Sequence, residues 1–488
     1  MNKDVKRIKQ IQPDIDTSYK MVDGVRLPVK MYLNNASDVM VLTIHGGAWY
    51  AIKEDADKWS GSWMNFQAQY YAERGFNAAA ISYRSIDFNE ETTVFDLIND
   101  CRDAVEFIKS KSDFKKLIIM GDSAGGHLAL SLADMADTVI AANPVTDCTT
   151  WENTAKTDED RKKASPLHNI AKTNAKILFM HGDADQVVDC KLTEKMCNEM
   201  KAIGNECEFI KIPNEVHAFI LQGYKSTDEK VMEYMETVNE YLERNGYEIK
   251  KIWNGFEKLE FEFEGRNAIL VLPKKKEPNG NWTLKTEYWD AFPETEIELL
   301  NRGFHAAWLQ NTSRFATKED CAAKARFVKF ISEKYGLRDK CVPVGMSCGG
   351  AHAVNFAGFH PESVACMFID APVLNFFDFP ARYDKFESVW ENEFLKAYPG
   401  MTRAKLMTLE EQPMNRIDSL IENQIPIIML YGTEDTTVDY NMNGRIFAES
   451  YTGHEDLLKI VPRSLQGHHP HGLMENSDKL ADWIIERL

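Results

Sequence analysis

The sequence lacks several features that mark other classes of protein. No apolar run approaches the roughly 18 residues that a membrane span requires. The first 16 residues, MNKDVKRIKQIQPDID, include basic residues but neither an apolar core nor a small-residue cleavage site, so we expect no signal peptide. The nine cysteines form no C-x-x-C pair, which favours reduced thiols over a disulfide framework or a zinc site. These absences predict a cytoplasmic protein.

Basic residues are also scarce for the length of the chain. Lys and Arg total 57 and Asp and Glu total 75 among 488 residues, a formal net charge of −18. Such an acidic chain repels phosphate backbones and anionic lipids, so we expect no nucleic acid and no membrane as partners. Hydrophobic residues make up 44% and charged residues 27%, as in ordinary globular proteins. The length allows two or more domains, and the sequence leaves the oligomeric state open.

The two halves of the sequence show the same alternation of short apolar runs and helical stretches. Apolar residues recur at helical spacing over 93–110 and 318–335. The near-continuous apolar runs between such stretches predict buried strands at 40–44, 77–83, 117–121, 138–143, 176–180, 208–212, 268–272, 304–310, 341–345, 364–369, 426–430 and 457–461. We therefore predict an α/β fold with two tandem domains, 1–248 and 249–488, each a mostly parallel sheet with helices on both faces.

The first half contains a motif for nucleophilic catalysis. Residues 121–125 read Gly-Asp-Ser-Ala-Gly between a predicted strand and a predicted helix. This G-x-S-x-G context is typical of a nucleophilic serine on a sharp turn, where larger flanking side chains would block the turn. A serine hydroxyl needs a base, and the base needs an orienting carboxylate. We predict Ser123 as nucleophile, Asp185 rather than Asp183 as acid, and His217 as base.

Residues 45–49, HGGAW, follow the first predicted strand of this half. A loop at this place can aim backbone N–H groups at the negative charge that develops on a reacting carbonyl oxygen. With the serine motif, it resembles the HGGG-type motif of the hormone-sensitive-lipase-like and carbohydrate-esterase branches of the α/β-hydrolase superfamily, over about residues 15–245. The resemblance implies oxyanion donors from Gly47, Ala48 and Ala124. It also implies an activity similar to acetyl-xylan and feruloyl esterases.

The second half carries its own serine motif. Residues 345–349 read Gly-Met-Ser-Cys-Gly, again between a predicted strand and a predicted helix. We predict Ser347 as nucleophile, Asp435 as acid and His468 as base. The acid-to-histidine spacing is 33 residues here (468 − 435) and 32 in the first half (217 − 185), which favours this histidine.

Two assignments in the second half stay open from the sequence. His469, and then His471, are alternatives to His468 as the base. Asp370, directly after the predicted strand 364–369, is a second candidate acid, because some members of this fold carry the acid one strand earlier. Clustered histidines can bind metals, but no carboxylate or cysteine accompanies these three at ligand spacing. We therefore favour a catalytic triad and expect no metal and no cofactor.

The second half, over about 255–488, resembles a group of bacterial α/β-hydrolases whose motifs read G-M-S-R-G-G and G-H-H-P-H. The run RGFHAAWLQ and the segment IDAPV are further similar features. Cys348 stands where that group has Arg, which in related glucuronoyl esterases helps to bind the charged transition state. This departure argues against that particular activity. We expect one oxyanion donor from the Cys348 N–H and the second from the loop 279–282, with Trp282 favoured.

Two features of the sequence bear on the substrate: a segment that could cover the second site, and a set of tryptophans in loops near the predicted sites. The serine-to-aspartate distance is 62 residues in the first half (185 − 123) and 88 in the second (435 − 347), and the extra 26 predict a helical cap at about 374–424. Aromatic faces in loops after strands suit sugar rings or aryl groups, although buried tryptophans are often ordinary packing. The tryptophans in question are Trp59, Trp63, Trp151, Trp282 and Trp289.

Together, these observations predict a serine esterase, that is, a carboxylic ester hydrolase with two active sites. Its expected substrates are short acyl or aromatic esters of carbohydrates, as small molecules or oligosaccharides. A prolyl-oligopeptidase-like peptidase is one alternative, and the sequence has no β-propeller-like N-terminal domain to support it. A second alternative is one active esterase domain beside a non-catalytic copy, because duplicated domains often keep a single site.

Overall fold

The structure, a computed structural model, describes residues 1–51, 61–473 and 476–488. The chain divides into two compact units, Met1–Lys250 and Lys251–Leu488. Within the described residues, no helix combines the length and the apolar composition needed to cross a membrane.

The first unit is built from eight strands and the helices between them. Its strands are β1 (Ile15–Val22), β2 (Val25–Tyr32), β3 (Val39–Ile44), β4 (Asn77–Ile81), β5 (Lys116–Asp122), β6 (Thr138–Ala142), β7 (Lys176–Gly182) and β8 (Cys207–Ile212). Its helices are α1 (Lys3–Ile8), α2 (Ser62–Glu73), α3 (Val94–Lys111), α4 (Ala124–Ser131), α5 (Asp158–Ala164), α6 (Cys190–Ala202) and α7 (Asp228–Arg244). The sheet order is β1-β2-β4-β3-β5-β6-β7-β8, and every pair from β4 to β8 is parallel.

Helices cover both faces of this sheet, as predicted. Successive side chains of a strand point to opposite faces, so each strand contributes to two cores. Leu42 and Ile119 pack on the face covered by α3, α4 and α6. Their chain neighbours Val41 and Met120 pack on the other face, beneath α2 and α7. The strands are therefore apolar on both sides, which explains their continuous hydrophobic runs.

The second unit repeats this plan with nine strands. Its strands are β9 (Ile252–Trp253), β10 (Phe256–Phe263), β11 (Arg266–Leu272), β12 (Trp282–Lys285), β13 (His305–Leu309), β14 (Val342–Met346), β15 (Met367–Asp370), β16 (Ile427–Gly432) and β17 (Leu458–Arg463). Its helices are α8 (Glu294–Asn301), α9 (Lys318–Tyr335), α10 (Cys348–Phe359), α11 (Glu387–Val389), α12 (Leu395–Ala397), α13 (Ile417–Glu422), α14 (Gly444–Glu449) and α15 (Ser477–Ile485). The order is β17-β16-β15-β14-β12-β13-β11-β10-β9, parallel from β13 to β17.

The predicted α/β fold class is confirmed in both units, and every predicted strand is present. Strand β12, inside the second sheet, was not among the predicted strands. It is only four residues long and ends on a buried lysine, Lys285, so it lacks the apolar run that marked the other strands. Its place matters, because β12 lies directly beside β14, the strand that leads into the second serine motif.

The region predicted as a helical cap contains short helical pieces. A π-helical turn, Trp390–Phe394, joins α11 to α12, and 3-10 turns follow at Ala404–Thr408 and Pro413–Arg416. Aromatic side chains of this region, such as Phe376 and Phe394, pack with Phe315 into a core separate from that of the sheet. The cap thus has an apolar centre of its own.

Candidate active sites

Ser123 lies in the sharp turn between β5 and α4, with φ 56° and ψ −120°. This left-handed backbone is strained for a residue that carries a Cβ atom. A Cβ on Gly121 would lie 2.1 Å from the carbonyl oxygen of Gly125, and a Cβ on Gly125 would lie 2.1 Å from that of Ile44. The turn therefore requires both glycines, and it places the serine at the carboxyl edge of the parallel strands.

The predicted acid and base of the first unit meet at Ser123. The Nε2 atom of His217 lies 2.8 Å from the serine Oγ, and its Nδ1 atom lies 2.7 Å from Oδ2 of Asp185. Asp185 follows β7 and His217 follows β8, and parallel strands bring their carboxyl ends to one edge. The alternative acid, Asp183, instead accepts a hydrogen bond from the Asn214 N–H at 2.7 Å.

A second histidine, His181 at the end of β7, holds the acid. Its Nε2–H donates to Oδ2 of Asp185 and to the carbonyl of Val188, both at 3.1 Å, and its Nδ1 accepts from the Thr193 hydroxyl at 2.9 Å. Burial acts to raise the pKa of Asp185, but hydrogen bonds from His181, His217 and backbone N–H groups outweigh it and lower that pKa. This role of His181 was not predicted from the sequence. The only indication of it there is the position of His181 four residues before Asp185.

The loop after β3 passes close to the nucleophile. A Cβ on Gly46 would lie 3.0 Å from the Cβ of Ser123. Gly47 and Ala48, the predicted donors, come next in this loop, and both have positive φ angles, 94° and 52°. Ala124 is the first residue of α4, where backbone N–H groups have no partner within the helix. All three predicted donors therefore belong to segments that adjoin Ser123.

Asp122, next to the nucleophile, is a buried carboxyl group. A Cβ on Gly46 would lie 3.3 Å from its Oδ2, and the Asn143 side chain donates to its Oδ1 at 3.3 Å. Burial raises the pKa of Asp122 to about 6, although the neighbouring His217 and Asn143 act in the opposite direction. The group therefore changes charge near neutral pH, directly beside the site.

The tryptophans of the first unit differ in their surroundings. Trp63 packs its ring on Gly47, where a Cβ would lie 2.4 Å from a ring carbon, and Trp63 is 40% exposed. Trp151 is half-buried and packs edge-on against the buried Trp49, with ring centroids 5.4 Å apart. Trp59 lies outside the described residues. Trp63 thus adds an accessible aromatic face beside the oxyanion loop.

The second unit has a matching arrangement around Ser347. This serine has φ 56° and ψ −121° at the start of α10. His468 Nε2 lies 3.0 Å from its Oγ, and His468 Nδ1 lies 2.7 Å from Oδ2 of Asp435. Burial acts to raise the pKa of Asp435, but hydrogen bonds from His468 and two backbone N–H groups lower it. The structure brings together the three residues that the sequence favoured.

The alternative acid and bases of the second unit have other roles. Asp370 is buried, pairs with the Arg463 guanidinium at 3.0 Å and accepts from the Gly472 N–H at 2.6 Å. It therefore anchors the loop that carries His468. His469 is exposed and stacks on Phe292, with ring centroids 5.5 Å apart.

The prediction that the Trp282 N–H serves as the second oxyanion donor is wrong. Trp282 is the first residue of β12, is fully buried, and donates its indole N–H to the carbonyl of Arg338 at 2.9 Å. Active groups of this fold lie at the carboxyl ends of parallel strands, and Trp282 lies at the opposite end. The error arose because the missed strand β12, rather than 268–272, adjoins the serine motif.

The loop that follows β12 occupies the place of the HGGAW loop. Both β3 and β12 pair in parallel with the strand that leads into the serine. The Thr286 hydroxyl lies 2.7 Å from the carbonyl oxygen of Gly349, and a Cβ on Gly349 would lie 3.2 Å from the Cβ of Glu287. Tyr288, next in the loop, has a positive φ of 54°. The segment contains no glycine, so no motif in the sequence marks this loop.

Cys348 begins α10, so its N–H lies at a helix N-terminus beside Ser347. Burial raises the pKa of its thiol to about 11, while the nearby Arg314 and Tyr288 act to lower it. The thiol is therefore neutral at ordinary pH. Arg314 pairs with Glu393 of the cap at 2.6 Å.

Trp289 lies in the loop after β12 but packs within the unit. Its ring lies 4.9 Å from that of Trp253, centroid to centroid, and the side chain is half-buried. Like the fully buried Trp282, Trp289 is thus mainly a packing residue.

Each unit therefore contains a hydrogen-bonded Ser–His–Asp chain at the carboxyl edge of an α/β sheet. The sequence model of the esterase family BD-FAE matches residues 29–150, a segment that includes the HGGAW loop and Ser123. No curated protein matches the sequence.

Solved structures similar to this chain include an esterase from the Planctomycetes species Thermogutta terrifontis. Esterase 2 of that organism, phosphorylated by paraoxon, is 24% identical with a TM-score of 0.43, and the match covers 49% of this chain and 96% of that chain. The propionate-bound form is 25% identical with a TM-score of 0.42 and the same coverage.

Proposed function

We propose that the protein is a serine carboxylic ester hydrolase with two active sites, one in each unit. The observation that carries this proposal is the pair of hydrogen-bonded chains, Ser123–His217–Asp185 and Ser347–His468–Asp435. The same three residue types stand in the same order on equivalent strands, and both serines share one strained backbone conformation. The BD-FAE match over 29–150 supports an ester substrate for the first unit.

The reaction follows from the geometry of the first triad. His217 Nε2 takes the hydroxyl proton as the Oγ of Ser123 attacks the ester carbonyl, and Asp185 stabilises the imidazolium that forms. Backbone N–H groups of the loop after β3 and of Ala124 stabilise the oxyanion. His217 then gives its proton to the departing alcohol, leaving an acyl-enzyme. A water molecule, deprotonated by the same histidine, releases the acid and restores the serine.

We further propose that the substrates are short acyl or aromatic esters of carbohydrates. The support is Trp63, an accessible ring packed on the oxyanion loop, because aromatic faces stack on sugar and aryl rings. The second pocket has a different wall, since residues 286–288 replace the glycines of the first loop and a cap of about 50 residues adjoins it. Differently shaped pockets rank substrates differently, so we expect the two sites to differ in specificity.

The test counts the active serines directly. A fluorophosphonate probe forms a covalent bond only with an activated serine, and mass mapping of the peptides locates it. We expect labels on both Ser123 and Ser347 in the wild type, and on one alone in Ser123→Ala or Ser347→Ala. Labelling confined to Ser123 would show that the second unit is a non-catalytic copy.

The two single variants also test specificity. Acetylated xylo-oligosaccharides, feruloyl esters and aryl acetates form the panel, with acetyl, butyryl and palmitoyl esters to test acyl length. Each variant should lose a different part of the panel, and short acyl groups should be preferred. A clear preference for palmitoyl esters, or for a prolyl peptide over every ester, contradicts the proposed substrate class.

A further inference from the structure

The histidine loop of the second unit, residues 466–472, gathers three imidazoles at one point. The ring centroids of His468, His469 and His471 lie 4.8 to 5.0 Å apart, and the rings are steeply inclined to one another. One ring nitrogen of each lies within 4.8 Å of the other two. In the parts of the chain that the structure describes, no other three His, Cys, Asp or Glu side chains form such a group.

One nitrogen of this cluster lacks a hydrogen bond. His471 is 3% exposed, and its Nδ1 atom has no hydrogen-bond partner. The Oδ2 atom of Asp370 lies 3.5 Å from this nitrogen and already accepts a hydrogen bond from the Gly472 N–H. A buried nitrogen without a partner is costly to desolvate, so it favours any ligand that can bind it.

The charges around the cluster favour a cation. Asp435 contacts His468, and Asp370 lies beside His471, so two carboxylates border the imidazoles. Arg463, paired with Asp370, is the opposing positive group. One carboxylate charge thus remains to offset a bound cation. The exposed His469 gives access from solvent.

We propose that His468, His469 and His471 form an inhibitory binding site for Zn²⁺. Three imidazole nitrogens with an open fourth position are a ligand set that zinc takes in proteins. Each ring nitrogen of His468 makes one of the two catalytic hydrogen bonds, Nε2 with Ser347 and Nδ1 with Asp435. The nitrogen that ligates the metal gives up its bond, and the loss of either bond disables His468 as the base. Zinc therefore occupies the second site in place of the catalytic hydrogen bonds, and this regulatory role rests on the proposed function.

The first unit provides an internal control. His217 is followed by Ala218, Phe219 and Ile220, so no further histidine adjoins it along its loop. The buried His181 bonds to the same acid, but both of its ring nitrogens are already engaged, one by Thr193 and the other by Asp185 and Val188. Zinc should therefore inhibit the reactivity of Ser347 and leave the reactivity of Ser123 unchanged in the same chain.

The experiment measures metal binding and serine reactivity separately. Co²⁺, which reports a protein nitrogen site by its visible absorption, is titrated into the full chain, the His469→Ala variant and the matched control His454→Ala. His454 is an exposed histidine of the same unit outside the cluster. Loss of one of three ligands should weaken binding by more than the roughly 10–100-fold that loss of a supporting residue causes. The control should bind as the wild type does.

Fluorophosphonate labelling then follows both serines with and without Zn²⁺. We expect zinc to slow Ser347 labelling by at least about tenfold, a difference of about 1.4 kcal/mol. A chelator should restore it, and Ser123 labelling should stay constant. In His469→Ala, compared with its own metal-free rate, zinc should have little effect on Ser347.

The outcomes separate this proposal from the proposed function. Equal Co²⁺ affinity in His469→Ala and the wild type overturns the metal site, whatever the serines do. Metal binding that needs His469 but leaves Ser347 labelling unchanged overturns the inhibitory role. If Ser347 takes no probe even in metal-free protein, the catalytic assignment of the second unit fails, and the Co²⁺ titration still decides the metal site.

Discussion

His181 and His217 donate to the same carboxylate oxygen, Oδ2 of Asp185, at 3.1 and 2.7 Å. The equivalent place at the end of β16 is Tyr431, which stacks on Tyr440 with ring centroids 3.6 Å apart. The two triads therefore share their geometry but differ in how the acid is supported.

Removing this extra donor should weaken the first site alone. We expect His181→Phe to lower kcat at the first site by about 10–100-fold, because a hydrogen bond to a charged group contributes about 1.5–3 kcal/mol. The measurement is aryl acetate turnover in a Ser347→Ala background. The control is Thr193→Val, which removes the bond to Nδ1 and keeps the Nε2 donor. Equal losses in both variants would indicate a packing effect.

Asp122 should make the stability of the first unit depend on pH. Its pKa is about 6 in the fold and 3.8 as an ordinary aspartate. The folded state thus binds this proton more tightly, so the contribution of Asp122 to stability is fully present below about pH 4 and is lost as pH rises through 6.

The Asp122→Asn variant tests this dependence. The difference between the two pKa values amounts to about 3 kcal/mol, so the variant should be more stable than wild type by up to that amount at pH 8. At pH 4 the two should match. Thermal unfolding of the full chain at both pH values measures this, and a constant difference across the range contradicts the buried ionisation.

Replacement by Asn should have different effects on activity and stability at Asp435 and at Asp370. Asp435→Asn should lower second-site turnover by as much as about 10⁴-fold with little loss of stability, because an amide favours the wrong histidine tautomer. Asp370→Asn leaves Arg463 buried without its partner and should destabilise the second unit by about 3–5 kcal/mol. Turnover in a Ser123→Ala background and thermal unfolding distinguish them. A larger catalytic loss in Asp370→Asn would reverse the assignment.

Gly47 should tolerate no side chain. A Cβ there would lie 2.4 Å from the Trp63 ring, and its φ of 94° disfavours any other residue. Gly47→Ala should therefore lower first-site turnover strongly. The double variant Gly47→Ala/Trp63→Ala removes the clash but not the backbone strain, so it should recover only part of the loss. Complete recovery would mean that the φ angle has no role.

The sequence was sufficient for the features that depend on local pattern. Buried parallel strands need continuous apolar runs, and the serine turn needs flanking glycines. Both features can therefore be recognised from the sequence alone. Triad spacing favoured Asp435 and His468 because repeated strands place equivalent residues at nearly equal intervals.

The features that the sequence missed depend on pairing in three dimensions. β12 is short and contains Lys285, whose buried charge is met by Glu296 at 2.7 Å, a partner that no local pattern indicates. Without β12, the predicted oxyanion loop fell on 279–282, which precede this strand, rather than on 286–288, which follow it. The role of His181 likewise depends on the folded loop after β7, which turns Asp185 back towards this histidine.

The backbone conformation of the two serines affects how a substitution at either position changes stability. With φ at 56°, each serine holds a conformation that costs about 1–3 kcal/mol in any residue except glycine. Ser347→Gly should therefore give a more stable and inactive second unit, reached by a change at a single codon. Both units have serine where glycine would relieve this strain, so each turn holds a conformation that its own side chain disfavours.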